Sequence, residues 1–454
     1  MKIRNILYSA VCFSLFAVGC ADDFVETTPT TNLPGESIIT DVSSAESALI
    51  GMYGALQLGR NYGGYDTFVT GLYADEISHT GSFPSLAEIG GNDPALNNTD
   101  VTTYWNNHYS AIYDANLIIN SVVNPDFGIS QESQERIGGQ ALAARALLYY
   151  KLVKTFGGVP LVTDAFTTSS DIDNNPVPRS SVAEVYSQIM SDVSAAVNQI
   201  PDGLGIYFFN KNAARVLKAK IEMEMGNYSQ AESTLAPVLS AGYSLESDYA
   251  ALFGNPASGS GLVASSSETI FAIDFNETDG SNHAFFYLDA GRGEVGPSAL
   301  LTAEFEDGDT RANLITSAND IGKYGDPGNG SDDAYVFRYA DVLLMKAELA
   351  ARRNDPAASS FINQVRQRAG EDLPAVTLTS ANVVEAIAHE RFVEFYAESS
   401  DRYFTITRLG IADEVVQSKP SSVFIAERNN LFPIPQQEIE RNSAIGVEDQ
   451  NPGY

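Results

Sequence analysis

Residues 140–164 read QALAARALLYYKLVKTFGGVPLVTD, and this stretch constrains the fold of the chain more than any other. Ala141, Ala144, Leu148 and Leu152 recur at three- and four-residue steps, with Leu142, Tyr149, Val153 and Phe156 beside them. That is the period of an amphipathic helix, and its apolar stripe is wide enough to be covered on most sides. Gly157-Gly158 and Pro160 then end it, because glycine permits a left-handed stop and proline cannot continue a helix. Arg145 falls inside the apolar face. A lone buried charge is costly, so the spacing predicts a carboxylate partner for it. The stretch reads as the core helix of a scaffold.

The rest of the chain supplies partners for such a helix. Apolar periodicity predicts helices over residues 43–56, 105–123 and 181–200, with Trp105 in the core. Residues 211–225 and 228–240 form a helix pair joined by Gly226-Asn227, and their small-residue pattern looks like a tetratricopeptide unit. A second pair is predicted over 335–352 and 356–368, broken at Asn354-Asp355. Pairs from distant parts of the chain can stack on one another and share a core. One clean strand is predicted over 269–275, with Ile270, Ala272 and Asp274 alternating against Phe271, Ile273 and Phe275. The predicted class is therefore mainly α: a tetratricopeptide-like helical-repeat scaffold with a loop-rich face and a few short strands.

Two stretches stand out as irregular. Residues 78–103 hold His79, Phe83, Asn92, Asp93, Asn97 and Asn98, and within residues 255–329, rich in Gly, Ser and Asn, the loop after the strand carries Asn282, His283, Phe285, Phe286, Tyr287 and Arg292. Irregular runs of this length in a compact protein are often functional loops.

At the N-terminus, Lys2 and Arg4 precede an apolar run over residues 6–18 that is too short to span a bilayer, the pattern of a secretory signal. Ala17-Val18-Gly19-Cys20 resembles the lipobox of bacterial lipoproteins, with Ala17 where leucine is usual. That resemblance implies a signal peptide over 1–19 and lipidation, palmitate included, at Cys20. An ordinary cleaved signal with an incidental Cys20 is the alternative. Ala21-Asp22-Asp23 is similar to the acidic signal that sends some lipoproteins to the cell surface, and residues 20–37 read as an extended tether. Cys12 and Cys20 are the only cysteines, which excludes a disulfide framework or a cysteine zinc site in the body of the protein. With 58 acidic against 27 basic residues and a formal charge of −31, the surface repels phosphate backbones and anionic lipids.

The run RALLYYKLVKTFGGVPLVTD resembles the core signature of the SusD/RagB family of outer-membrane nutrient-binding lipoproteins. FRYADVLLMKAE, FINQVRQRAG and HERFVEFYAESSDRYFTITRLG resemble its later helices, and LFPIPQQEIERNSAIGVEDQNPGY its ending. The matches span residues 20–454 in family order. They imply one such domain over residues 38–454, with an N-terminal part to about 240 and a C-terminal part from about 269. They further imply a surface lipoprotein of the outer membrane that binds oligosaccharide and passes it to a SusC-like TonB-dependent transporter. A binder of peptides or another nutrient in the same role is the alternative.

Catalytic and cofactor motifs fail on context. Residues 291–296 fit G-x-G-x-x-G as a string, but no βαβ unit surrounds them. Asp171, Asp173 and Asn175 imitate the start of a calcium loop, but Pro176 replaces its glycine and Val182 its bidentate glutamate. His79, His108, His283 and His389 lack metal-ligand spacing, so neither metal nor cofactor is expected. Glu390, Glu394 and Glu398 recur every four residues near Arg391 and Arg402. This reads as an ion-pairing scaffold helix rather than the carboxylate pair of a glycoside hydrolase, so no enzyme is expected.

What remains is binding by the two loops. Sugars are held by stacking their C–H faces on aromatic rings while polar side chains satisfy the hydroxyls. On that chemistry Phe83, Phe286 and Tyr287 are the candidate platforms, and His79, Asn92, Asn282 and Arg292 the candidate hydrogen-bonding residues.

Overall fold

The computed structural model describes residues 38–166, 175–420 and 422–454. The signal peptide, Cys20, the tether, and Asp171 and Asp173 lie outside the described residues. Helix α1 (Val42–Gln57) leads into an excursion over residues 58–98 that carries α2 (Tyr65–Tyr73), strand β1 (Ile77–His79) and α3 (Pro84–Gly90). The chain returns through α4 (Thr99–Val122), α5 (Gln131–Phe156) and α6 (Val182–Gln199), then the pair α7 (Lys211–Glu224) and α8 (Tyr228–Leu239). A second excursion, residues 240–338, carries β2 (Thr269–Ile273), α9 (His283–Tyr287), β3 (Val295–Pro297), α10 (Ala299–Glu304) and β4 (Ala334–Arg338). The second pair is α11 (Tyr339–Arg352) and α12 (Ala358–Ala369). It is followed by α13 (Val383–Phe395), α14 (Asp401–Leu409), α15 (Ala412–Ser418) and α16 (Gln436–Arg441).

The scaffold is a single stack. α1 packs on α4, α4 on α5, α5 on α6, α6 on α7, α7 on α8, α8 on α11 and α11 on α12. Each helix therefore touches its successor except at two steps, where an excursion is looped out. Local chemistry explains the helix ends. The Ser130 side chain accepts from the Ser133 N–H to start α5, and Gly157, at φ 74, stops it. Ser181 and Glu184 form a reciprocal capping box on α6. The Arg145 partner expected from the sequence is Asp192 on α6, which accepts from Nε at 2.8 Å and NH2 at 2.7 Å. Trp105 is buried, in edge contact with Phe156.

Four expectations need correction. Residues 78–103 are not one structureless loop: they hold part of β1, all of α3 and the start of α4. Pro84 at the first turn of α3 and the Asn98 cap on α4 were the available signals. Residues 335–338 are strand rather than helix, because β4 pairs antiparallel with β2, Thr269 opposite Arg338 and Ile273 opposite Ala334. Strand β2 ends at Ile273, two residues short of the expected 275, and all five of its residues are buried. The glutamate-rich helix breaks after Phe395, where Ala397, Ser399 and Ser400 all take positive φ, so Glu398 sits beyond its end.

That break builds the electrostatic core, although the partners are not Arg391 and Arg402. Glu390 pairs with Arg311 and Arg366, Glu394 with Arg311, Arg338 and Arg368, and Glu398 with Lys323 and Arg338. Arg391 instead holds Asp341 and Asp401, and Arg402 holds Asp75. Burial alone would raise the Glu394 carboxyl, but Arg368, Arg338 and Arg311 hold it well below the usual carboxylate range.

Glu76, buried just after α2, behaves in the opposite way. Its carboxylate accepts from the Ala397 N–H, yet burial pushes it up to about 8 from 4.5. Between those values the folded state holds a proton that the unfolded state has released. The contribution of this group is therefore full below pH 4.5 and fades as the pH rises towards 8. Glu76→Gln mimics the protonated acid and is expected to flatten that slope. Urea midpoints at pH 5 and pH 8 should differ less in the variant than in the wild type, and an unchanged difference would contradict this.

Candidate functional site

The two excursions leave the stack at different steps and meet through a short sheet. β1 pairs antiparallel with β3, placing Ile77 opposite Pro297 and His79 opposite Val295. Just before β3 lies Glu294, a residue of the glycine-rich string, and it is buried. Its Oε1 accepts from the Ser82 N–H at 2.7 Å, from the Phe83 N–H, and from His79 Nε2 at 3.1 Å. Its Oε2 accepts from Arg292 Nε at 2.8 Å. Burial alone would raise this carboxyl, but the bonds from Arg292, Phe83, His79 and Ser82 lower it. A carboxylate can only accept, so His79 Nε2 must carry the proton it donates. Gly81 makes room for this arrangement, because a Cβ there would collide with the Glu294 carboxylate. Glu294 thus fastens the first excursion to the second.

Around this point aromatic rings form a ladder. The Arg292 guanidinium lies over the Phe83 ring at 3.9 Å, and Phe83 lies 6.0 Å from Phe286. Phe286 meets Tyr65 at 5.3 Å, and Tyr65 is covered by the Arg60 guanidinium at 3.5 Å. Arg60 donates to Asp100 Oδ1 at 2.8 Å, and Ser85 donates to Asp100 Oδ2 at 2.6 Å, which ties α3 to the start of α4. Phe285 stands beside Phe286 at 5.4 Å and is 40% exposed. Phe285 is exposed and Phe83 partly so, while the Arg60 and Arg292 guanidiniums lie over the Tyr65 and Phe83 rings.

The candidate residues chosen from the sequence divide accordingly. His79, Phe83 and Arg292 meet at this surface. Asn282 borders it, donating from Nδ2 to the Gly63 carbonyl at 3.1 Å. Phe286 and Tyr287 must be withdrawn as platforms, since they are 5% and 0% exposed. The single turn of α9 directs both inward, Phe286 among Tyr65, Phe68 and Phe83, and Tyr287 against Phe68 and Tyr324. Asn92 is withdrawn too. It is buried in the left-handed region, donates to the Tyr73 carbonyl at 2.7 Å and accepts from Lys419 at 2.8 Å. Both ends of its amide are committed to holding the fold together.

Sequence reasoning missed Phe285, Tyr65, Arg60 and Glu294. One helical turn is too short to show a period, and Glu294 means nothing until residues 79–83 are known to lie against it.

A cavity of about 60 Å³ lies inside the scaffold among Tyr62, Lys151, Arg338, Asp341, Arg391 and Asp401, with room for a few waters and not for a sugar. Glu390 and Glu394 are wholly buried among arginines and cannot flank a glycosidic bond. Among the described residues no group of three or more histidines or carboxylates could hold a metal ion, and no helix is long and apolar enough to cross a membrane.

Comparison with known proteins gives a consistent result. A model of SusD-like proteins, described as starch-binding and associating with the outer membrane, matches residues 23–223, and the SusD family model matches residues 314–454. Two SusD-like proteins of Formosa agariphila are 25% and 27% identical, each covering 100% of both chains. Among solved structures, a SusD superfamily protein of Bacteroides vulgatus has a TM-score of 0.79 at 22% identity, covering 91% of this chain and 99% of its own. A surface glycan-binding protein of Bacteroides fluxus gives 0.77 at 20% identity, covering 91% and 99%. A laminarin-binding SusD-like protein gives 0.76 at 22%, covering 91% and 100%. The tetratricopeptide-like helical fold is shared with these structures.

Proposed function

This chain belongs to the SusD/RagB family of non-catalytic, carbohydrate-binding proteins that associate with the outer membrane, and from that premise we propose that it captures oligosaccharide at the cell surface and delivers it to a SusC-like TonB-dependent transporter. It is anchored through lipidated Cys20. The ligand lies on the surface of Phe83 and Phe285, with Arg60 and Arg292 donating to its hydroxyls and His79 Nδ1 accepting from one of them.

One observation carries this reading: two excursions far apart in sequence converge on a ladder of rings in which Phe285 is exposed and guanidiniums stack on Phe83 and Tyr65. Exposed rings suit the C–H faces of a sugar, whereas a peptide would call for a deeper charged pocket. Structural neighbours described as glycan-binding and laminarin-binding add support.

The test is a glycan array and affinity-gel screen of the soluble form lacking residues 1–20, followed by Phe285→Ala. A ring stacked on a sugar is worth about 1–1.5 kcal/mol, so the variant is expected to bind about ten-fold more weakly with its melting temperature unchanged. Retention of no glycan, or wild-type affinity in Phe285→Ala, would overturn the assignment.

A further inference from the structure

A second feature with carbohydrate-binding chemistry lies away from the residues of that surface, where the two helical pairs of the stack meet. Tyr243 follows α8, Tyr339 opens α11, and Gln364, Gln367 and Arg368 come from one face of α12. With Ser244, Glu246 and Ser247 they line a groove of about 430 Å³, within the range of small-ligand sites. The rings of Tyr243 and Tyr339 lie 6.3 Å apart and 29° from parallel, and both are half-buried.

The lining is fixed from beneath. Tyr339 N–H donates to the Glu268 carbonyl at 2.8 Å and Ser244 N–H to the Ser267 carbonyl at 3.3 Å. Asn212 Nδ2 donates to the Tyr243 hydroxyl at 3.3 Å. The groove's two charged side chains are both engaged within the protein. Glu246 accepts from the Ser267 N–H and hydroxyl, while Arg368 pairs with Glu268 and Glu394. Uncommitted groups remain. Among the described residues the Gln367 amide and the Tyr339 hydroxyl have no hydrogen-bond partner, and Arg368 Nε is a buried donor without an acceptor.

Two rings held in place, free amide and hydroxyl groups and a charge-balanced lining fit a ligand with many hydroxyls and no charge. A chain of formal charge −31 also disfavours an anion. We infer that this groove is a second, weaker subsite for neutral oligosaccharide, with Tyr243 and Tyr339 as its stacking rings and Gln367 as its hydrogen-bonding side chain. The inference rests on the carbohydrate-binding reading for its ligand class, but on no residue of the first surface. It gives one molecule two grips on a long glycan, so polysaccharide should be retained more strongly than a short oligomer.

The test uses calorimetry of the soluble form with malto-, cello-, laminari- and xylohexaose, together with affinity gels containing the parent polysaccharides. Phe285→Ala should leave residual hexaose binding. Adding Tyr339→Ala with Gln367→Ala should weaken it further and remove one of two binding events from the isotherm, and in the gel the groove variant alone should lose about ten-fold in affinity. A thermal melt verifies folding, and Gln367→Ala alone serves if Tyr339→Ala unfolds. Complete loss of hexaose binding in Phe285→Ala overturns the groove and leaves the first surface standing. Loss only in the groove variant supports the groove and overturns the first surface. No binding of any hexaose by the wild type overturns the groove together with the carbohydrate reading of the first surface for these glycans.

Discussion

Glu394→Ala is expected to destabilise the folded protein by about 3–5 kcal/mol, a large part of the 5–15 kcal/mol typical of a domain. The reason is desolvation. Glu394 accepts from Arg311, Arg338 and Arg368, and these three side chains are at most 4% exposed. Removing the carboxylate leaves the buried Arg368 NH2 without its acceptor and takes one acid each from Arg311, which keeps Asp309 and Glu390, and Arg338, which keeps Glu268 and Glu398. Glu394→Gln keeps the volume but loses the charge, so it should fall between wild type and alanine. The pH dependence has a definite sign. A carboxyl held below its unfolded value stabilises at neutral pH, and that contribution is lost as the pH falls through its folded pKa. Urea denaturation at pH 7 measures the effect. An unfolding free energy for Glu394→Ala within about 1 kcal/mol of wild type would show that the network is not what holds this part of the core.

Glu294→Gln is expected to weaken glycan binding by about ten- to a hundred-fold while leaving the stack intact. The side chain keeps its size, and its amide oxygen can still accept from the Ser82 and Phe83 N–H groups. Its NH2, however, faces a donor where Oε2 accepted from Arg292 Nε. Hydrogen bonds to charged groups are worth about 1.5–3 kcal/mol, which sets the range of affinity loss once Arg292 leaves the Phe83 ring. The residue touches no ligand in this account; it positions Phe83 and Arg292. A purely structural role would lower the melting temperature without changing affinity. Full-affinity binding by a destabilised variant would therefore refute the positioning role.

The readable part of this protein was the part whose signals are local. Helix α5 announces itself through residues three and four apart, ends at a glycine that takes positive φ, and carries an Arg145 whose burial demanded a carboxylate. The repeat pairs were legible for the same reason. The site was legible only in outline. Its two segments stood out as long and irregular, yet the sequence could not say which rings point outward. Phe285, Phe286 and Tyr287 are adjacent and chemically alike, and only the packing of Phe68, Tyr65 and Tyr324 against α9 decides that the first is exposed and the others buried.

The acids show the same division. Three glutamates spaced by four residues signalled ion pairing, but spacing along one helix does not say which arginines arrive from elsewhere. The partners of Glu394 come from residues 311, 338 and 368, and the bonds of Glu294 to the first excursion cross more than two hundred residues. By itself the sequence determined the long helices of the scaffold and the family to which the chain belongs, because these follow from short-range periodicity and local motifs. Only the tertiary structure decided which side chains form the binding surface. Burial and charge pairing are properties of the neighbours a residue acquires, and those neighbours are chosen when the two excursions fold onto each other.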